Sequence, residues 1–162
     1  MQSPCPFWLT TNAGRLGNDA AGMGGSDFAL RRAGRVADGW MTHSVTPDGL
    51  RRSWSVIEAE RAASGRDMAG FGDIVTAVLN IQDDADDAMS DAKRCLDMYC
   101  GANYSPERLH AWGPIGTQDH CAAWIRRFND TPCLGFTFRL ATMGDAMGQL
   151  RRLTEDVLPG VT

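Results

Sequence analysis

Three histidines, five cysteines and a run of aspartates are the side chains with the most chemistry open to them in this 162-residue sequence. His43 closes a short apolar stretch, Gly39-Trp-Met-Thr-His43, that reads as a strand ended by the turn residues Ser44 to Pro47. An imidazole with an ordinary pKa of about 6.5 can give or take a proton at neutral pH from that position. The alternative is a polar cap bonded to the following turn. His110 and His120 fall in polar stretches and read as helix surface. Arg139 interrupts the apolar run Phe136-Thr-Phe-Arg-Leu140 and takes the same strand face as Thr137. Buried there, it requires a partner, either an anionic ligand such as a phosphate or an internal carboxylate; otherwise it reaches solvent.

Asp83-Asp84-x-Asp86-Asp87 has the density of a metal site, but no histidine is near and the spacing is not that of an EF-hand. Aspartates at a helix start are favoured by capping and by the macrodipole alone, so no metal site is expected. The cysteines (5, 95, 100, 121 and 133) are odd in number and lack C-x-x-C spacing, as expected of reduced thiols in a cytoplasmic chain. No serine or cysteine nucleophile with a placed histidine and acid is arguable from spacing.

The elements that must carry these groups follow from periodicity. Pro4 to Asn12 reads as a buried strand, and residues 13–26, with five glycines, as a flexible loop that could approach a ligand or act as a lid. That loop matches neither a P-loop nor G-x-G-x-x-G. Ser26 or Asp27 caps a helix with Phe28, Leu30, Ala33 and Val36 or Ala37 at helical spacing, and strand 39–43 follows. Thr46-Pro47-Asp48 opens a helix to about Ser64, with Leu50, Trp54, Ile57 and Ala62 near one face and Gly65 as its stop. Asp73 to Gln82 is a third strand, and Asp83 and Asp84 cap a long helix to about Tyr99. Shorter helices open at Ser105 and Thr117, the second burying Ala122, Ile125 and Phe128. Gly135 to Ala141 is a fourth strand, and 145–157 a closing amphipathic helix through Met147, Leu150, Leu153 and Val157. Strands alternating with helices predict an α/β fold around a parallel sheet.

Composition narrows the functional classes. Hydrophobic residues are 43% and charged residues 22%, enough for a core. The net charge of −4 and the absence of a basic stripe argue against nucleic acid or an anionic membrane as partner. No apolar run approaches the roughly 18 residues of a membrane span, and residues 1–6 show no secretory signal.

The run Ala29-Leu-Arg-Arg-Ala-Gly-Arg-Val-Ala-Asp-Gly-Trp-Met41 resembles a segment of the luciferase-like monooxygenase family, in which a helix ending Ala-Arg-x-Ala/Gly-Asp-Gly-Trp feeds a late strand of a (β/α)8 barrel. Pro6-Phe-Trp-Leu is similar to the preceding barrel strand, and Gly116-Thr-Gln-Asp-His-Cys-Ala-Ala-Trp-Ile to the family's Gly-Thr/Ser-Pro-Glu helix start. Phe136 to Leu140 and Leu150 to Pro159 resemble the last strand and C-terminal helix.

The resemblance implies a partial TIM barrel of about four parallel strands, a single luciferase-like domain over residues 1–162 that lacks the N-terminal barrel half; a whole barrel takes about 250 residues. It implies an oxidoreductase that uses flavin mononucleotide (FMN) or the deazaflavin coenzyme F-420 to transfer hydride or activate oxygen on a small organic substrate. The alternative is a non-catalytic truncated half-barrel, or a subunit dependent on a partner; the expected assembly is a homo-oligomer or a pairing with a complementing barrel half. Barrel active sites lie at the C-terminal ends of strands. Applied to this chain, that rule selects His43 as the proton-handling residue. It also selects Thr10, Thr11, Asn12, Trp40, Arg139 and Thr142 as cofactor or substrate contacts.

Overall fold

The computed structural model describes residues 5–11 and 23–161, which pack as two compact units, residues 1–76 with 131–137 and residues 77–130 with 138–162. Strands alternate with helices, as the periodicity predicts, except where α3 (Ala85–Cys100) is followed directly by α4 (Pro106–Trp112).

In the first unit, β1 (Trp8–Thr10), β2 (Gly39–His43) and the first half of β3 (Gly72–Ile81) pair in parallel, with Leu9 opposite Trp40, Trp40 opposite Asp73 and His43 opposite Thr76. Two helices connect them, α1 (Met23–Val36) and α2 (Pro47–Ala63). The start of α1 at Met23 places residues 23–26 in the helix rather than in the expected loop. Residues 13–22 of that loop lie outside the described residues. Thr46 caps α2 as predicted, its Oγ1 accepting the Gly49 N–H at 3.1 Å, and Gly65 takes the left-handed φ of +69° just past its end.

Both helices bury a different stripe from the one apolar spacing suggests. The α1 stripe is Leu30, Ala33, Gly34 and Ala37, while Phe28 and Val36 are 63% and 50% exposed. The reason is close approach: a Cβ on Gly34 would stand 2.7 Å from the Ile57 carbonyl oxygen, so α2 lies against the small residues of α1. The α2 stripe is Leu50, Ser53, Ile57 and Arg61, and Ala62 is exposed. Ser53 and Arg61 are admitted because their polar atoms are bonded to carbonyls, Ser53 Oγ to Gly49 and Arg61 to Asp67 and Ala37.

The second unit is built on the other half of β3, with α3 (Ala85–Cys100), α4 (Pro106–Trp112), β4 (Ile115–Gly116), α5 (Gln118–Arg126), the end of β5 (Gly135–Leu140) and α6 (Ala146–Arg152). Its core joins Val78 to Ala88, Ala92 and Leu96 of α3, with Leu109, Ile115 and Ala141. Ala122 and Ile125 on α5 and Phe128 just past its end are buried as their spacing predicts. The strand β4 is an addition to the four expected, two residues long and parallel to Asn80 and Ile81. β5 pairs with β3, and the bonds at its two ends, Leu134 N–H to Asp73 O and Ala141 N–H to Leu79 O, advance in the same direction along both strands. Among the described residues the sheet therefore has five strands, all parallel.

The closing helix differs from a single amphipathic rod. It is α-helical to Arg152, widens to a π-helical turn over Leu153–Val157 and tightens over Leu158–Gly160. Leu153 and Val157 are buried, but Met147 and Leu150 are 66% and 42% exposed. Gln149 takes the inward position instead. Its amide Oε1 accepts the Ile81 N–H at 2.6 Å and its Nε2 donates to the Ile81 carbonyl at 2.9 Å, supplying the strand-like bonds that β5, which stops at Leu140, does not. Among the described residues, no helix is long and apolar enough to cross a membrane.

Candidate functional site

Beyond the C-terminal ends of β3 and β5, the second unit opens a cavity of about 550 Å³. Gln82 and Asp83 follow β3, the loop Thr142 to Asp145 follows β5, and the first turns of α3 supply the remaining wall, with Gln149 and Ile81 behind. Asp91 organises this site. Its carboxylate accepts from Thr142 Oγ1 at 2.6 Å, Asn80 Nδ2 at 2.9 Å, the Met143 N–H at 3.2 Å and Arg94 at 3.4 Å. Burial alone would raise its pKa, but these bonds and the Arg94 charge outweigh burial and hold the carboxyl below its ordinary range. Thr142 is thereby fixed by Asp91 and in turn accepts the Gly144 N–H at 3.0 Å. Asp83 faces Arg152 at 2.8 Å, and that hydrogen bond keeps its pKa low. Asp84 caps α3, accepting from the Asp86 and Asp87 N–H groups, which is the capping role of the aspartate run. Among the described residues, no group of three or more His, Cys, Asp or Glu side chains could hold a metal ion.

The strand ends of the first unit carry the other sequence-selected residues. His43 closes β2 half-buried, with Nδ1 at 3.1 Å from Ser44 Oγ. Ser44 is the only non-glycine described residue with positive φ, at 53°, the left-handed turn that ends the strand. Trp40 is wholly buried and its indole N–H donates to the Thr11 carbonyl at 3.3 Å, while the Thr11 N–H donates to Met41 O. Thr10 is exposed at the end of β1, opposite Met41. Asn12 lies outside the described residues. In the second unit, Arg139 is exposed and its guanidinium stacks on the Tyr99 ring at 4.5 Å. His110 and His120 are exposed, their rings 5.5 Å apart.

The sequence pattern of the luciferase-like monooxygenase family matches residues 21–120 of this chain. The chain belongs to that family. By sequence, none of the curated proteins matches it. Among solved structures, this luciferase-like chain is similar to a coenzyme F-420-dependent tetrahydromethanopterin reductase from Methanopyrus kandleri, at 15% identity and a TM-score of 0.68 over 97% of this chain and 51% of that one. It is similar also to an F-420-dependent secondary alcohol dehydrogenase solved with an F-420–acetone adduct, at 17% identity and a TM-score of 0.71 over 99% and 50%. A long-chain alkane monooxygenase aligns at 16% identity and a TM-score of 0.56 over 86% and 39%. At such identities the likeness is one of fold, that of the (β/α)8 barrel. The chain spans about half the length of these relatives.

Within the luciferase-like fold, the strand-end rule points to Thr142 but not to the carboxylate that positions it. Asp91 lies two turns into α3, and in sequence it is one more aspartate on a solvated helix. Gln149, between an exposed Met147 and an exposed Leu150, carries no sequence signal beyond being polar in an apolar helix.

Proposed function

We propose that this chain contributes the cofactor-and-substrate face of a luciferase-like oxidoreductase of the FMN or F-420 type, acting on a small organic molecule in the cytoplasm. The observation that carries the reading is the family match across residues 21–120, over a fold whose strands all run parallel and present His43 and Thr142 at their C-terminal ends. When bound, such a cofactor supplies the hydride or the activation of oxygen, and the protein supplies binding, orientation and proton handling.

The residues fit part of such a group. The cavity past β3 and β5 is rimmed by five aspartates against Arg94 and Arg152. Its excess of acceptors suits hydroxyl groups, as on a ribityl chain, and is unfavourable for a phosphate. Thr142 and the backbone of the 142–145 loop would hold such hydroxyls. His43 would hold or move a proton on its imidazole, kept in orientation by Ser44 Oγ at Nδ1. Thr10 and Thr11 would line the first unit's strand ends, Trp40, wholly buried, would position Thr11 through its indole N–H rather than touch the ligand, and Arg139 would meet an anionic group of the substrate.

A second reading is a half-barrel that works only with a partner, a second copy or a complementing half. It is favoured by β1 and β5, each paired on one edge only among the described residues. Fluorescence titration of the purified chain with FMN and with F-420, followed by turnover assays, separates the two. Saturable binding with cofactor-dependent turnover that His43→Ala abolishes supports the first. Binding that appears only when an N-terminal half is added supports the second.

A further inference from the structure

Away from these strand ends, the first unit has a smaller cleft of about 330 Å³ between the C-terminal end of α2, the loop 65–70 and the start of β2. Arg61 lies at its base, 4% exposed. Its Nε donates to the Asp67 carbonyl at 2.8 Å and its Nη1 to the Ala37 carbonyl at 2.9 Å. The guanidinium carbon sits 4.3 Å from the centre of the Phe71 ring. Three contacts thus fix the guanidinium plane, yet none of them is a carboxylate, and no described acid lies within ion-pair distance of it. Nη2 has no hydrogen-bond partner among the described residues and lies where the Arg61 side chain lines the cleft. A buried cation ordinarily has a counter-charge, because neutral carbonyls alone recover only part of its lost hydration.

The second wall reinforces the first. Arg66 reaches across to Asp38 at 3.0 Å and to the Arg35 carbonyl at 2.9 Å, and it too lines the cleft. Burial first, and then the Arg66 charge, press the Arg61 pKa below its ordinary value, while Asp67 and Asp38 only partly offset them. The Asp67 carboxylate is turned to the Ala69 N–H, 2.9 Å away, in its own turn. Gly65 and Gly70, both with left-handed φ, frame the mouth, and a Cβ on either would meet no atom within 4 Å.

We propose that this cleft is a binding site for a small oxyanion, a phosphate or phosphate ester, seated between the Arg61 and Arg66 guanidinium groups. A charge-assisted N–H···O bond from guanidinium to an oxyanion is about twice as strong as a neutral one, and a guanidinium already locked in place, as Arg61 is, loses little freedom on binding. The site lies at the N-terminal ends of the strands and is independent of the oxidoreductase reading.

The test is calorimetric titration of the full chain with inorganic phosphate at constant ionic strength, with thermal melting in parallel. One saturable site that chloride does not reproduce is expected. Arg66→Gln should weaken it by about tenfold or more, the scale of a lost charged hydrogen bond. Asp38→Asn removes the competing carboxylate charge but keeps an acceptor for the Phe7 N–H, which Asp38 Oδ2 meets at 2.9 Å, and should tighten binding. Arg61→Lys keeps the charge, loses the Nη2 donor that the two carbonyl contacts hold in place and should also weaken binding, with far-UV circular dichroism confirming that it folds. Methyl phosphate binding as well as phosphate would mark the ester of a larger molecule as the ligand, and phosphate alone a free ion. Absence of saturable binding overturns the proposal, as does affinity unmoved by both Arg66→Gln and Asp38→Asn.

Discussion

Asp73 is wholly buried on β3, and neither of its carboxylate oxygens has a hydrogen-bond partner among the described residues. Burial lifts its pKa from 3.8 to about 7. In the unfolded chain the group ionises above about pH 4, whereas in the folded chain it stays protonated until about pH 7. The folded state is therefore not penalised below pH 4. It loses stability progressively between 4 and 7 and carries the full penalty above, up to about 4 kcal/mol at 1.36 kcal/mol per unit. Asp73→Asn should accordingly stabilise the chain at pH 8, leave it unchanged at pH 3.5 and flatten the slope between, as read from urea unfolding across that range. A slope equal to that of the parent would show that the carboxyl is solvated. Such residues are the least legible in sequence. Asp73 stands at the start of an apolar strand, where an acid reads as a solvent-facing end, and Arg61 reads as the charged side of α2. Arg61 is inside because the carbonyls of Asp67 and Ala37 meet its guanidinium, whereas Asp73 is inside without any such partner among the described residues.

At the scale of elements, caps and stops were legible because they depend on a few adjacent residues. Thr46, Asp84, Ser105 and Thr117 all accept N–H bonds at the helix starts where their sequences place them. Faces were less so. Apolar spacing selects Leu150 on the closing helix, whereas the inward residue is Gln149, which closes both backbone groups of Ile81. Gln149→Ala should cost about 2–4 kcal/mol, because it leaves a buried N–H and C=O unsatisfied, and Leu150→Ala less than about 1 kcal/mol. Equal losses in denaturant titration would contradict this assignment. Gly113 is a second case, just before β4. A Cβ there would overlap the backbone of Val78, so Gly113→Ala should displace β4 and lower the melting temperature more than Gly135→Ala, whose Cβ meets nothing within 4 Å.

For the molecule as a whole, the edges of β1 and β5 that no described residue pairs make self-association an expected property. Sedimentation velocity should show assembly that rises with concentration and falls in Leu134→Lys, a charge placed on a 72%-exposed residue beside β5. A single monomeric species at every concentration, in parent and variant alike, would remove the reading in which the partner is a second copy of this chain.

The sequence by itself determined the α/β class, the order of elements, the helix caps and the luciferase-like resemblance, all of which rest on local residue types and their spacing. Only the tertiary structure decided which helix faces are inward, that Ile115 and Gly116 form a strand, and which charged groups are deprived of water. Those depend on backbones brought together from distant parts of the chain: Gly34 beneath Ile57, Arg61 against the carbonyl of Ala37, Gln149 on Ile81. Periodicity ranks side chains by polarity, but burial is settled by whether a neighbour can satisfy them.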